Sequence, residues 1–492
     1  MSTASAPAPA PVGRAELGLA ARVLLCIAAI TTGAAFLQGA AELQPLMVVT
    51  GLAALVAAAA STLRAERDWF NPLLLLVVTW MLRIGAPALY VRFVGPPPVF
   101  ATLFHLSPRQ WDQGFALALV GLVSIALGWM LLPRATARLG RSFAAALERT
   151  FVVDARTLVV GLLFLALGVG FIVIFLRLNY SSSTDAISNG MIRRGARVGG
   201  TSRYSFIASG LITFGSLAAC SWLLLVRRTG WALALLPAVA ATLVMSIFGG
   251  RVVALTPLAY ACFALWYRSD RRHIRAGRVL LVALLGGVAF ALYSIFIAFY
   301  RTGVGLKAAG MVMSTAGIDR YLAGPLWYEA GMLHPYTVAI SFPPGVLHGA
   351  SLPLTLGLGA TLLKLDGVRP GQFMVEAILG RTQLRTWGWH SGLVIDAYMN
   401  YGLFAAILGG VLFGLLLRTV YSGFRARPGP VSTCFYVMLL WHFIWMYYEH
   451  TAATMNILII NFPFTVTILA AATLLPARMT RLAARLQPAG AG

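Results

Sequence analysis

The sequence predicts an all-α membrane protein that crosses the bilayer about twelve times. Hydrophobic residues make up 59% of the 492 residues and charged residues only 11%, unlike a soluble globular protein. Apolar runs of about 18–25 residues recur, and a helix of that length crosses a hydrocarbon layer of ~30 Å. The predicted spanning segments are 20–40, 44–63, 70–92, 115–133, 157–178, 205–226, 231–249, 252–267, 279–300, 396–417, 431–449 and 455–476.

Arginine clusters predict the orientation of these segments. Each cluster beside an apolar run, such as RSDRRHIRAGR at 268–278, follows an even-numbered segment. Because basic loops stay in the cytoplasm, both termini are predicted to be cytoplasmic. The Ala/Pro-rich start lacks the pattern of a signal peptide. We therefore expect a disordered cytoplasmic N-terminus at 1–18, a single transmembrane domain at 19–478, and a cytoplasmic tail at 479–492.

The formal net charge of +23 does not indicate a nucleic-acid partner. Most basic residues sit in short clusters beside apolar runs, where membrane insertion requires them. The four cysteines all lie inside apolar runs and form no CxxC motif. They are interpreted as small buried side chains rather than as disulfide or metal partners.

Two predicted outer connections, 179–204 and 301–395, are long and contain several arginines where the orientation rule predicts few. Guanidinium groups and glycine backbone N–H groups bind phosphate well, so an anionic ligand is one interpretation of loop 179–204. Contact with lipid headgroups is the other. The candidate residues in this loop are Arg193, Arg194, Arg197 and Arg203.

Loop 301–395 is the largest polar part of the chain, and its apolar stretches 336–347 and 351–363 are too short or too proline-rich to span. We expect re-entrant or interfacial helices there, because irregular backbone is tolerated near a bilayer only when buried or beside a wet cavity. Its aromatic and acidic residues suit a carbohydrate, and equally an interfacial aromatic belt. Its candidates are Arg301, Arg381, Arg385 and Trp327 for binding, and His390, Glu329 and Glu376 for proton transfer.

Arg251 lies at the membrane edge of the tight connection IFGGRVV between segments 7 and 8. An arginine there is costly unless it pairs, reaches the headgroups or faces a polar cavity. We interpret it as a cavity arginine, with headgroup contact as the alternative.

Several chemistries have no motif in this sequence. It contains no Walker A, HExxH or GxSxG motif, no metal-spaced His/Cys pair, and no DxD on an outer loop. Asp and Glu total only 15, so we expect no metal and no cofactor. Arginines can stabilise a leaving diphosphate electrostatically without a metal ion.

The run DAYMNYGLFAAILGGVLFGLLLR at 396–418 resembles a late-helix signature of bacterial oligosaccharide repeat-unit polymerases of the Wzy, or O-antigen polymerase, type. SIFGGRVVAL at 246–255 is similar to their Gly-Arg element. The resemblance covers roughly residues 150–470 and includes the helix number and the two arginine-rich loops. It maps Arg251 onto the Gly-Arg element, and Asp396, Tyr398, Asn400 and Gly402 onto the signature.

This resemblance implies a GT-C-like membrane fold and a metal-independent glycosyltransferase of the bacterial inner membrane. Such proteins use undecaprenyl-diphosphate-linked repeat units at the periplasmic face and transfer the growing glycan to an incoming unit. The product would be O-antigen, capsule or exopolysaccharide. A flippase and a chain-length regulator of the same pathway are the implied partners, besides membrane lipids.

Two other functions stay open from the sequence. An O-antigen ligase, or another transferase that uses lipid-linked sugars, would share the donor and the long second loop. A transporter of lipid-linked sugars would also need intramembrane arginines, although the two halves show no internal repeat. Within the polymerase interpretation, Asp396 is either a proton acceptor or a residue that orients an arginine or caps its helix.

Overall fold

The computed structural model describes residues 12–38, 44–95, 106–188, 201–248, 251–268, parts of 288–310, 333–351, 353, 367–379, 391–448 and 451–474. This described part is 86% helix and contains no strand. Seven of its helices are long and apolar enough to cross a membrane. The architecture is that of a polytopic helical membrane protein, as the composition predicted.

Every predicted segment except 279–300, which lies largely outside the described residues, coincides with helix. The helices are α1 (Val12–Gln38), α2 (Gln44–Glu66), α3 (Pro72–Trp80), a π-helix (Met81–Gly85), α4 (Ala86–Val94), α5 (Pro108–Met130), α6 (Pro133–Thr150), α7 (Ala155–Asn179), α8 (Ser183–Ser188), α9 (Ser202–Ser221), a π-helix (Trp222–Val226), α10 (Trp231–Ser246), α11 (Arg251–Arg268), a 3-10 turn (Gly305–Lys307), α12 (Pro370–Leu379), α13 (Leu393–Ala426), α14 (Pro430–Tyr448) and α15 (Thr451–Leu474).

Three features differ from the prediction. Residues 12–18, which were expected to be disordered, are helical, because the first helix begins at Val12. The segment at 70–92 is not one regular α-helix, because a π-helical turn interrupts it. The arginine-rich connection after segment 4 is the 18-residue helix α6, for which no helix was predicted. Arginine clustering alone does not distinguish a basic loop from a basic helix.

Contacts divide the chain into two compact units. The first comprises Met1–Leu139, Leu326–Ser422 and Phe443–Met455, and the second comprises Gly140–Pro325, Gly423–His442 and Asn456–Gly492. The sequence predicted a single domain at 19–478.

Glycines bring α5 and α13 close together in the first unit. A Cβ at Gly121 would enter the Val394 side chain, and one at Gly128 would meet the backbone of Val411. From the other helix, Gly410 packs on Ser124. Membrane helices associate through such small residues because lipid gives no hydrophobic driving force. This packing fixes the start of α13, where Asp396 lies.

The second unit contains a similar pair, α7 and α9. Gly161 and Gly215 face each other so closely that a Cβ on either would clash with the other's carbonyl oxygen. Above this contact, Asn179 and Thr201 exchange hydrogen bonds of 3.0 and 3.1 Å between their side chains. This pair joins the end of α7 to the start of α9 and so closes the base of loop 179–204.

Candidate functional site

Asp396 lies in the first turn of α13, and its residue is only 9% exposed. Its position depends on Gly392, whose missing Cβ lets the chain lie directly on the backbone of Tyr447 at the end of α14. The backbone N–H of Asp396 donates to the Gly392 carbonyl at 3.0 Å. A carboxylate is therefore held inside the first unit, beside the C-terminal end of a neighbouring helix.

Residues 333–339 form a fully buried helical segment next to this carboxylate. The edge of Trp111 on α5 meets the His334 ring with 6.0 Å between centroids. Gly114 leaves no room for a Cβ above Thr337, so α5 lies directly on the segment. Residues 333–339 of loop 301–395 are helical, and a re-entrant or interfacial position of this segment stays a prediction.

Two buried groups of this segment have strongly shifted pKa values. Burial lowers the pKa of His334 from 6.5 to about 3, which keeps the imidazole neutral at neutral pH. Burial also raises the pKa of Tyr336, and the neighbouring charge of Asp396 raises it further, although Tyr447 opposes the shift. Tyr336 therefore stays protonated and can act as a hydrogen-bond donor.

Two tyrosines at the end of α14 extend the cluster. The Tyr447 hydroxyl donates to the Ala118 carbonyl at 3.1 Å and lies beside the Tyr336 hydroxyl. The rings of Tyr447 and Tyr448 meet edge to face at 5.0 Å. The Tyr448 hydroxyl in turn bonds Thr79 on α3 at 2.9 Å.

Arg83 completes this series of contacts from the π-helix. Its guanidinium lies 5.1 Å from the ring centroid of Trp445 and 4.9 Å from that of Tyr448. Arg83 sits at the middle of the candidate span Pro72–Val94. Ionisable residues within a span are costly, and π-helical turns occur often at functional sites. Arg83 was not among the residues predicted from the sequence, although a single arginine inside an apolar segment is a signal that could have identified it.

We call Asp396, Tyr336, Tyr447, Tyr448 and Arg83 the Asp396–Arg83 cluster. Each member contacts or electrostatically influences the next, so an acidic group and an intramembrane cation belong to one connected set of side chains. Chemically, the set offers a proton acceptor, a neutral hydroxyl donor and a guanidinium suited to phosphate.

Tyr398 and Asn400, both predicted to bind substrate, are buried in the first unit. The Asn400 side-chain amide donates to the Ser351 hydroxyl at 2.6 Å and to the Asp396 carbonyl at 2.6 Å. The backbone carbonyl of Tyr398 accepts from the Gly345 N–H at 3.0 Å. These contacts dock the turn 344–351 on α13, and a role of either residue in binding a ligand stays a prediction.

Two more predicted residues have described side chains. Glu376 on α12 is half-buried and accepts from the Gln372 amide at 2.9 Å, one helical turn earlier. Arg203, at the start of α9 in the second unit, is exposed and lies 5.2 Å from the ring centroid of Tyr204. Arg251 is the first residue of α11, and only its backbone is described.

The remaining predicted residues lie outside the part that the structure describes. They are Arg193, Arg194, Arg197, Arg301, Trp327, Glu329, Arg381, Arg385 and His390.

Within the described ranges, no three His, Cys, Asp or Glu side chains gather into a group that could hold a metal ion. Comparison with known proteins gives no match to a family model, to a curated protein or to a solved structure.

Proposed function

We propose that this protein polymerises undecaprenyl-diphosphate-linked oligosaccharide repeat units at the periplasmic face of a bacterial inner membrane. The observation that carries the proposal is the Asp396–Arg83 cluster. It connects the buried carboxylate that opens the DAYMNYG run to an arginine at the middle of a span. A transferase that uses a lipid diphosphate needs both a proton acceptor for the sugar hydroxyl and a cation for the diphosphate.

The proposed reaction transfers a glycan from its lipid diphosphate. A hydroxyl on the non-reducing-end sugar of the incoming unit attacks the anomeric carbon of the donor glycan. The new C–O bond forms as the bond from the anomeric carbon to the phosphate oxygen breaks, and undecaprenyl diphosphate leaves. The hydroxyl proton passes to Asp396, with His390, Glu376 and Glu329 as the other candidate acceptors.

Arginines stabilise the negative charge that develops on the leaving diphosphate. The guanidinium of Arg83 lies 5.1 and 4.9 Å from the ring centroids of Trp445 and Tyr448, which supports Arg83 as one of these arginines. Arg251 and the loop arginines at 193, 194, 197, 203, 301, 381 and 385 are the additional candidates from the sequence. Tyr398, Asn400 and Trp327 are the candidates for contact with sugar.

The test is deletion of the gene, with surface and lipid-linked glycans resolved by gel electrophoresis and mass spectrometry. We expect single repeat units without a polymer ladder, and recovery of the ladder with the wild-type gene but not with Asp396→Asn or Arg251→Ala. Both variants must accumulate in the membrane at the wild-type level for this comparison.

Other outcomes contradict the proposal. Full-length polymer that stays on the lipid carrier would identify an O-antigen ligase. Repeat units trapped on the cytoplasmic side would identify a transporter of lipid-linked sugars. An unchanged ladder would exclude both transferase functions.

A further inference from the structure

Helix α6 connects two candidate membrane spans and has an unusual distribution of side chains. Helix α5 ends at Met130, shortly before α6 begins, and α7 begins at Ala155, shortly after α6 ends. Because α5 and α7 both qualify as spans, α6 lies at one surface of the membrane. A helix at this place is exposed both to lipid and to water.

One side of α6 is fixed to the protein. Thr136, Gly140, Ala144 and Leu147 are buried and recur at helical spacing. Gly140 lies against the backbone at Gly423, where a Cβ would clash. These contacts set the rotation of α6 about its axis. The rest of the helix surface, which does not contact the protein, consists of an apolar side and a basic side.

The Glu148 carboxylate adds a polar contact on this side. Its Oε1 accepts from the backbone N–H of Ser432 at 2.8 Å in the first turn of α14. A carboxylate at a helix N-terminus satisfies an N–H group that has no partner within the helix. Glu148 is the one acidic residue of α6, and it is used in this contact.

A second side of α6 is apolar and exposed. Leu139 is 64% exposed and Phe143 is 43% exposed, and residues four apart lie on the same side of a helix. Leu132, just before the helix, is exposed as well. Large apolar side chains in this position favour insertion into the boundary between headgroups and acyl chains.

The third side of α6 is basic. Arg134, Arg138, Arg141 and Arg149 are all exposed. At 100° per residue these four positions fall within about 80° of one another, and they lie away from Leu139 and Phe143. A helix with one apolar and one arginine-rich side matches an anionic membrane surface in both polarity and charge.

We propose that α6 lies in the membrane interface and binds anionic phospholipid headgroups through Arg134, Arg138, Arg141 and Arg149. Leu139 and Phe143 insert beside the acyl chains. The occupant of this surface is the bilayer that contains the protein, because α6 continues directly from two spans. This inference does not depend on the proposed polymerase function.

Lipid retention by the purified full-length protein tests the charge component. Native mass spectrometry in detergent would compare added phosphatidylglycerol with phosphatidylcholine of the same acyl chains. We expect the wild-type chain to retain phosphatidylglycerol preferentially, and the variant Arg134→Gln/Arg141→Gln to lose about tenfold in this preference. The matched control is Arg109→Gln/Arg177→Gln, which removes the same charge at the far ends of α5 and α7.

The proposal is overturned if wild type shows no preference for phosphatidylglycerol, or if both double variants lose it equally. An acidic protein partner instead of lipid would give the first of these results. All variants must elute as a single folded species on gel filtration, so that unfolding is not mistaken for lost binding.

The depth of α6 provides a second, independent measurement. A bimane fluorophore attached to Phe143→Cys, in a chain with Cys26→Ala and Cys262→Ala, should be quenched by phospholipids brominated on the acyl chain. The same fluorophore on Arg141→Cys should be quenched weakly. Equal quenching at both positions would contradict the proposed orientation.

Discussion

The Asn400 amide donates to the Ser351 hydroxyl at 2.6 Å and thereby holds the turn 344–351 against a break in α13. The break is at Gly402, where φ is 82° and ψ is −171°. The break leaves the carbonyls of Tyr398 and Met399 without their helical N–H partners. The N–H groups of Gly345 and Leu347 donate to these two carbonyls at 3.0 and 2.9 Å. The Asn and Gly of the DAYMNYG run thus have a structural function in addition to any catalytic one.

A double-mutant cycle tests this docking. Asn400→Ala and Ser351→Ala should each lower thermal stability, and their combined effect should be smaller than the sum by about 0.5–1.5 kcal/mol, the net value of one hydrogen bond. The measurement is thermal unfolding of the detergent-solubilised protein. Additive losses would show that the two side chains do not interact.

Replacement of Asp396 tests the proposed proton acceptor. Asp396→Asn keeps the shape of the side chain but removes its basicity, so we expect transfer to fall about 10²–10⁴-fold at unchanged stability. Asp112→Asn is the matched control, because it makes the same change at a carboxylate that pairs with Arg92 at 3.5 Å and is not a candidate acceptor. The measurement is the rate of polymer formation. An equal loss of transfer rate in both variants would show that Asp396 is not the proton acceptor.

Replacement of Arg83 tests the intramembrane cation. Arg83→Gln should reduce transfer about 10²–10³-fold, and Arg83→Lys should recover little, because an ammonium group lacks the planar fork that stacks on Trp445 and Tyr448. Arg92→Gln on the same span is the control, since Arg92 is exposed and pairs with Asp112 at 3.5 Å. Full activity of Arg83→Lys would mean that charge alone is required.

Stability should depend on pH through His334. Its folded pKa of about 3 lies below the ordinary 6.5, so the folded state binds fewer protons than the unfolded state between these values. The contribution of neutral, buried His334 to the free energy of unfolding is therefore complete above pH 6.5 and is lost as pH falls towards 3. Thermal unfolding between pH 7 and 4 should show a steeper loss in wild type than in His334→Gln.

His348 provides the matched control for that series, because it is exposed on the turn after the buried segment. His348→Gln should retain the wild-type dependence on pH. If His334→Gln also retains it, burial of His334 is not the cause.

The glycine contact between α5 and α13 gives a further prediction. Gly128→Ala should destabilise the protein by about 1–3 kcal/mol or more, because its Cβ would meet the Val411 backbone, which cannot move independently of the helix. Gly170→Ala on α7 meets no atom within 4 Å and should be tolerated. Thermal stability and membrane yield would measure both. Equal tolerance would show that the helices are not in close contact.

Most of the helices were predictable because apolar length is a property of the local sequence. The amphipathic helix α6 was not recognised, since its arginines satisfy the rule for a cytoplasmic loop equally well. The π-helix at Met81–Gly85 also gives no signal in composition. Asp396 was identified as a candidate because it is the first residue of the DAYMNYG run. The other members of the Asp396–Arg83 cluster lie in distant segments of the chain.

Tyr336, Tyr447 and Arg83 could not be assigned to Asp396 from spacing, because tertiary packing through Gly392 and Gly121 brings these segments together. The loop arginines were the most visible feature of the sequence, but most of them lie outside the described residues. Arg83, a single arginine within a predicted span, is connected to Asp396 through described contacts.

The most direct test of the proposed function uses the purified protein in proteoliposomes with undecaprenyl-diphosphate-linked repeat units from its own organism as the only substrate. Product length would be followed by mass spectrometry, with Asp396→Asn and Asp112→Asn reconstituted in parallel. We predict multimers on the lipid carrier with wild type and Asp112→Asn, and unchanged single units with Asp396→Asn. Single units with correctly folded wild-type protein, or multimers with Asp396→Asn, would contradict the account.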